Sequence, residues 1–159
     1  MRPVTNILST VDVVAYAPVA LFVRLVVARV FFLSGQTKVN GPIVGKEIAG
    51  VDLSFKLPTS LSDSAVALFQ DDYKLPHIPP EIAAYAAAAA EHILPALLLL
   101  GLFTRLSAVG LLLMTAVIQI FVFPDAWWTV HAYWTALLLV LVARGAGALS
   151  LDRLIFGRE

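Results

Sequence analysis

Apolar positions along the chain come in four long runs, not in the stripes of a water-soluble fold. They span Pro18 to Val39 (PVALFVRLVVARVFFLSGQTKV), Glu81 to Gly101, Leu106 to Phe123 and Trp127 to Ala143. At 1.5 Å per helical residue, a run of twenty covers about 30 Å, the thickness of a bilayer's hydrocarbon core. The pattern predicts an all-α fold: an integral membrane four-helix bundle with spans at about 18–39, 81–101, 106–123 and 127–143. Residues 1–159 form a single membrane domain. Met1 to Ala17 reads as a mixed lead-in, with Pro18 suited to the first helical turn.

Between the first two runs, residues 40–80 turn polar and are punctuated by Gly41-Pro42, Pro58, Pro76 and Pro79-Pro80, which are loop signals. This predicts a long extracytoplasmic loop. Within it, SLSDSAVALFQDDYKL (Ser60 to Leu75) reads as a short amphipathic helix. Ser60 or Ser62 serves as N-cap, and Ala65, Leu68 and Phe69 form an apolar strip. Such a helix suits the membrane surface or the mouth of the bundle. The tail ALSLDRLIFGRE is amphipathic and fits the interface.

Composition agrees with the pattern. The chain is 60% hydrophobic and only 14% charged, against about 25% charged in soluble domains. Its net charge of zero gives no basis for nucleic-acid binding. It has no cysteine, which excludes disulfides, thiol relays, iron–sulfur clusters and thiolate zinc sites. The first apolar run starts late, holds two arginines and is too long for a cleavable signal peptide. Arg2, Arg105, Arg144, Arg153 and Arg158 fall on the side of the termini, and Lys46, Lys56 and Lys74 on the other. The positive-inside rule then places both termini in the cytoplasm of a bacterial-type inner membrane.

Chemistry concentrates where a bilayer tolerates it least. Glu91 and His92 stand near the middle of the second span, and Pro95 cannot bond the carbonyl of Glu91. An ionisable pair at that depth marks a candidate functional site, so Glu91 and His92 are the candidate catalytic residues. Arg24 and Arg29 lie in the first span. Counting from the span ends puts Arg29 about 17 Å in and Glu91 about 15 Å in, at one level. The expectation is a structural ion pair of Glu91 with Arg29 or Arg24, because a lone charge would be left unsatisfied. That pair has both an architectural and a catalytic reading. A second group, Gln36, Lys38, Gln119, His131 and Trp134, collects nearer the outer face and outlines a cofactor-binding pocket; interhelical hydrogen bonding is its alternative reading. Tyr85 stands at its edge.

His92 and His131 differ in depth by about 10 Å, which argues against bis-histidine haem. His77 reads as a surface residue, and no spacing signature supports a metal site. Ala83-Ala84 and Ala86 to Ala90 read as a close-packing surface that lets a neighbouring helix approach Glu91.

Three segments carry a family resemblance. RLVVARVFFLSGQTKVNG, with Arg24, Phe31 or Phe32, Gly35 and Lys38, resembles the first-span signature of DoxX-type membrane proteins. Glu91 followed by LPALLLLGLFTRLSA resembles the family's Glu then Gly-Leu-x-Thr-Arg segment. RGAGALSLDRLI is similar to its Gly-x-Gly-x-x-Ser-x-Asp close. The resemblance, to DoxX/DoxD-like small integral membrane proteins, implies a four-helix membrane protein of oxidoreductase type. Some relatives are linked to quinone reduction, and others act beside redox-stress or metal-handling proteins. It therefore implies a quinone-interacting membrane subunit, with a protein partner as electron donor. The alternative is a non-enzymatic membrane partner, scaffold or small-solute carrier whose acidic loop docks a stress-response protein. Partners are thus membrane lipid and a second protein, and an oligomer is compatible with the sequence.

Overall fold

A computed structural model of the chain describes residues 2–157, with side chains from Ala15 onward apart from Val51. Met1 and Arg158 lie outside the described residues. Four helices are long and apolar enough to cross a membrane: Ala15–Thr37, Pro80–Leu100, Thr104–Phe121 and Pro124–Arg144. The first belongs to α1 (Arg2–Thr37), which is 36 residues long and holds Pro18 inside it. The expected lead-in is therefore helical. Pro3 falls in the first turn, where a proline is tolerated, and Pro18 costs an established helix one hydrogen bond and a kink, not its existence.

Where a loop was expected, the chain builds an arm. Three short antiparallel pairings nest in register: β1 (Val39–Asn40) with β6 (Ser60–Leu61), β2 (Ile43–Val44) with β5 (Phe55–Lys56), and β3 (Glu47–Ile48) with β4 (Val51–Asp52). Together they make one interrupted β-hairpin. Ala49 (φ 52°) and Gly50 (φ 78°) form its tip, with both central residues left-handed as in a type I′ turn, whose twist matches the strands.

The hairpin returns to Ser62, whose hydroxyl caps α2 (Asp63–Leu68) by accepting from the Ala65 N–H at 3.2 Å. The helix continues as a π-helical turn, Phe69–Tyr73. Ala65, Phe69 and Tyr73 are buried against Ala83 and Ala84 of α3 (Pro80–Leu100), with Val117 and Ile118 of α4 (Thr104–Phe121) and Val122 just past its end alongside. The small alanine faces admit this segment. Phe69 and Tyr73 stack with ring centroids 4.2 Å apart, so α2 caps the bundle and does not float on a surface.

Its place there follows from the length of α1. A Cβ added to Gly35 would sit 3.0 Å from the Glu91 Cβ, and one added to Gly101 would meet Arg24. Helices α1 and α3 are therefore antiparallel, with Glu91 level with the last turn of α1. Helix α3 runs on for eleven residues beyond that level, about 17 Å, and α2 with its π-helical turn fills the space α1 leaves.

The fourth span starts as a π-helix, Trp127–His131, and continues as α5 (Ala132–Arg144). Val27, Phe31, Leu98, Leu111, Leu138 and Leu141 form the apolar core of the four spans. At the opposite end, α6 (Leu151–Phe156) closes the bundle. Asp152 accepts from the backbone N–H groups of Phe103 (2.7 Å) and Thr104 (2.9 Å), and its own N–H donates to the Gly101 carbonyl at 2.8 Å. A carboxylate at the start of α4 meets its unpaired donors and the positive end of its dipole. Asp152→Ala is expected to cost about 1–2 kcal/mol, as for other lost helix caps, read as a lower melting temperature in detergent.

Candidate functional site

Lys38 is the residue that completes the buried carboxylate. Its Nζ lies 2.6 Å from Glu91 Oε2, while Ser34 Oγ donates to Oε1 at 3.0 Å. Lys38 Nζ also donates to Ser34 Oγ at 3.2 Å. Lys38 is 4% exposed and Glu91 1%. Ser34 and Lys38 stand four residues apart, on one face of the end of α1, and Gly35 between them lets α3 approach closely.

The expected arginine–glutamate pair is thus corrected. Arg24 lies well before the end of α1, level with the end of α3, where its Nη2 donates to the Leu149 carbonyl at 2.5 Å. Arg29 is exposed on the flank of α1. Depth counting had treated 18–39 as a whole span. Because α1 ends level with Glu91, the lysine just beyond its last turn reaches the carboxylate, and the arginines sit too low.

Lys38, Ser34 and Thr37 form the floor of a cleft of about 730 Å³. Its walls are Tyr73 and Leu68 from the capping segment, Ile118 from α4 and Val122 just past its end, and His131 and Trp134 from the fourth span. Each of the two π-helical turns among the described residues ends on a wall residue, Tyr73 in one and His131 in the other; such turns widen a helix and often occur at functional sites. The His131 Nδ1 lies 2.6 Å from Gln119 Oε1, and the Gln119 amide donates to the Pro124 carbonyl. That bond fixes the amide's orientation, so Nδ1 carries the proton and Nε2 is left as an acceptor. Trp134 packs on His131 and Phe31, at 5.2 and 5.4 Å between ring centroids. Burial foremost, then the negative charges of Glu91 and Asp72, push the Tyr73 phenol up to about 12. Tyr73 is thus a neutral hydrogen-bond donor at any physiological pH.

Of the expected pocket residues, Lys38, His131 and Trp134 line the cleft, and Gln119 stands behind His131 as its orienting partner. Gln36 and His92 do not line it. One residue beyond Glu91 is about 100° around the helix, and there His92 meets the hairpin. Its Nδ1 donates to the Ala88 carbonyl at 2.7 Å, and its Nε2 accepts from the Gln36 amide at 2.9 Å. The Gln36 amide also bonds both backbone groups of Lys56. His92 and Gln36 therefore anchor the arm and do not share a cavity with Glu91. Ser34 and Tyr73 are the residues that sequence reasoning missed. Ser34 carries a signal, its four-residue spacing from Lys38; Tyr73 carries none, since only the folding-in of α2 brings it to the cleft.

The residues behind the family resemblance converge in space. Lys38 lines the cleft, with Glu91 and Gly35 packed together behind it. Arg24, Gly101, Thr104, Ser150 and Asp152 build the junction at the other end.

No group of three metal-ligating side chains occurs among the described residues. The chain is similar to an uncharacterised protein of Haemophilus influenzae, 31% identical over 150 residues, covering 85% of this chain and 82% of the relative. No solved structure matches it significantly. The DoxX family model matches residues 19–132, from the first span through the wall of the cleft. The chain belongs to the DoxX family.

Proposed function

We propose that the protein is a quinone-interacting membrane subunit, and that the cleft lined by Lys38, the partner of Glu91, holds the quinone head group. The observation that carries this reading is a buried, hydrogen-bonded charge pair whose lysine lines a mostly apolar cleft. A quinone offers two carbonyl acceptors, and its reduced form offers two hydroxyl donors. Lys38 and Tyr73 are donors for the first, and His131 Nε2 is an acceptor for the second. Ile118, Val122 and Trp134 give the ring apolar walls. The volume falls in the range of small-molecule sites, about 300–1,000 Å³.

Reduction of a quinone consumes two electrons and two protons. The chain has no thiol of its own, so the electrons come from a separate donor protein. The residues of the cleft hold the head group and exchange its protons, with Glu91 keeping the lysine charged and in place. The positive-inside count orients the cleft and hairpin outward and the α6 junction toward the cytoplasm. The membrane is then the bacterial-type inner membrane.

Trp134 makes the reading testable. Titrating the protein in nanodiscs with a short-tailed ubiquinone analogue should quench its fluorescence saturably, and Trp134→Phe should remove most of that signal. Loss of one hydrogen bond, at about 1–1.5 kcal/mol, predicts roughly tenfold weaker binding for His131→Leu. Quenching that rises linearly without saturation, or that is indifferent to His131→Leu, would refute the assignment.

A further inference from the structure

A second cavity lies on the opposite flank of α1, away from the cleft. It holds about 410 Å³ and is lined by Leu25, Phe32 and Leu33 of α1, Pro95 and Leu99 of α3, and Phe55 of the hairpin arm. The arm roofs it: Gln36 grips the Lys56 backbone, and the Phe55 and Phe32 rings meet edge-on at 6.0 Å. Arg29 also lines this groove. It is the one charged side chain exposed on the flank of α1 within the span, and no acidic group among the described residues lies within 4 Å of it. Asp52 also lines this groove, with its carboxylate tied to the Ser54 N–H at 2.8 Å.

Arg24 is level with Gly101, just past the end of the second span, Pro80–Leu100. Arg29 lies five residues further in, about 7.5 Å. Helical side chains lean toward the helix N-terminus, which on α1 faces that same end, so an arginine here is placed to snorkel toward the headgroups on that side. From Leu25 to Leu33 the groove extends about 12 Å along α1. That is most of the ~15 Å half-thickness of the hydrocarbon core.

We infer that this groove is a binding site for an anionic phospholipid of the leaflet on the α6 side, with the headgroup phosphate on Arg29 and one acyl chain lying beneath the hairpin arm. Charge complementarity selects the headgroup: an unpaired cation at this depth favours an anion over a zwitterion. The apolar lining and the length select the chain.

Native mass spectrometry of the full chain decides it. The detergent-solubilised protein is offered phosphatidylglycerol and phosphatidylcholine of identical chains in equal amounts, and oleate separately. One arginine near the surface is worth about 1 kcal/mol toward anionic lipid, so phosphatidylglycerol adducts should predominate about fivefold. Arg29→Gln should erase that preference. Leu33→Trp, which fills the groove from an exposed position, should reduce retention of both lipids. Equal retention of the two lipids by the wild type overturns the inference, as does an undiminished preference in Arg29→Gln. Retention of oleate without phosphatidylglycerol overturns the phospholipid assignment. If Arg29→Gln does not fold, Leu33→Trp carries the decision, and unchanged retention there overturns the site.

Discussion

Lys38→Met is expected to lower the melting temperature of the detergent-solubilised protein by on the order of 10 °C. Removing one member of a buried pair leaves the other charge without its counter-ion, a loss of about 3–5 kcal/mol, and each kcal/mol moves a domain of this size by about 2–4 °C. Ser34 would still donate to Glu91 Oε1 but could not replace the ammonium at Oε2. The double variant Lys38→Met/Glu91→Leu should recover most of the loss, since apolar residues of similar volume often replace buried ion pairs without harm. Glu91→Gln should be milder than Lys38→Met, because its amide oxygen still accepts from Lys38. A double variant no more stable than Lys38→Met would show that the lysine acts on the fold through something other than Glu91.

The second large effect is expected at the other end of the bundle. Gly101 ends α3 at φ +68°, with its N–H bonded to the Leu98 carbonyl and the Leu102 N–H to that of Leu97. A methyl group there would meet the Ser150 Cβ at 2.6 Å and Cα at 3.0 Å, and would overlap the Arg24 guanidinium. The left-handed backbone alone costs a non-glycine residue about 1–2 kcal/mol, and overpacking adds about 1–3. Gly101→Ala should therefore destabilise the protein by roughly 2–5 kcal/mol, a larger loss than Asp152→Ala at the same junction. A melting temperature within a degree of wild type would mean that Ser150 and Arg24 do not pack on Gly101 as described.

The spans were legible because twenty apolar residues in a row leave a chain little choice, and Glu91 because a carboxylate has no business in such a run. Its partner was hidden for a geometric reason. Levels counted along the sequence assume that each helix crosses the whole membrane. Helix α1 instead begins at Arg2 and stops level with Glu91, which moves Arg29 away and brings Lys38 in. The hairpin was illegible for a different reason. Each of its strands is two residues long, and Pro42, Gly45 and Pro58 interrupt them, so no alternating pattern lasts long enough to read. His92 looked like a companion of Glu91 because it is adjacent in sequence. In a helix, adjacency is what separates two side chains, and His92 serves the arm.

Glu91 thus has a clear structural role in holding Lys38, and the chemistry proposed for the cleft depends on that lysine. The most direct measurement is the amount of quinone carried by the protein when it is purified gently from its membrane. It is extracted and quantified per chain for the wild type and for Lys38→Met/Glu91→Leu, with both shown by melting to be folded. The proposed site predicts near-stoichiometric quinone on the wild type and only background on the double variant. Background levels on the wild type, or equal amounts on both, would contradict it.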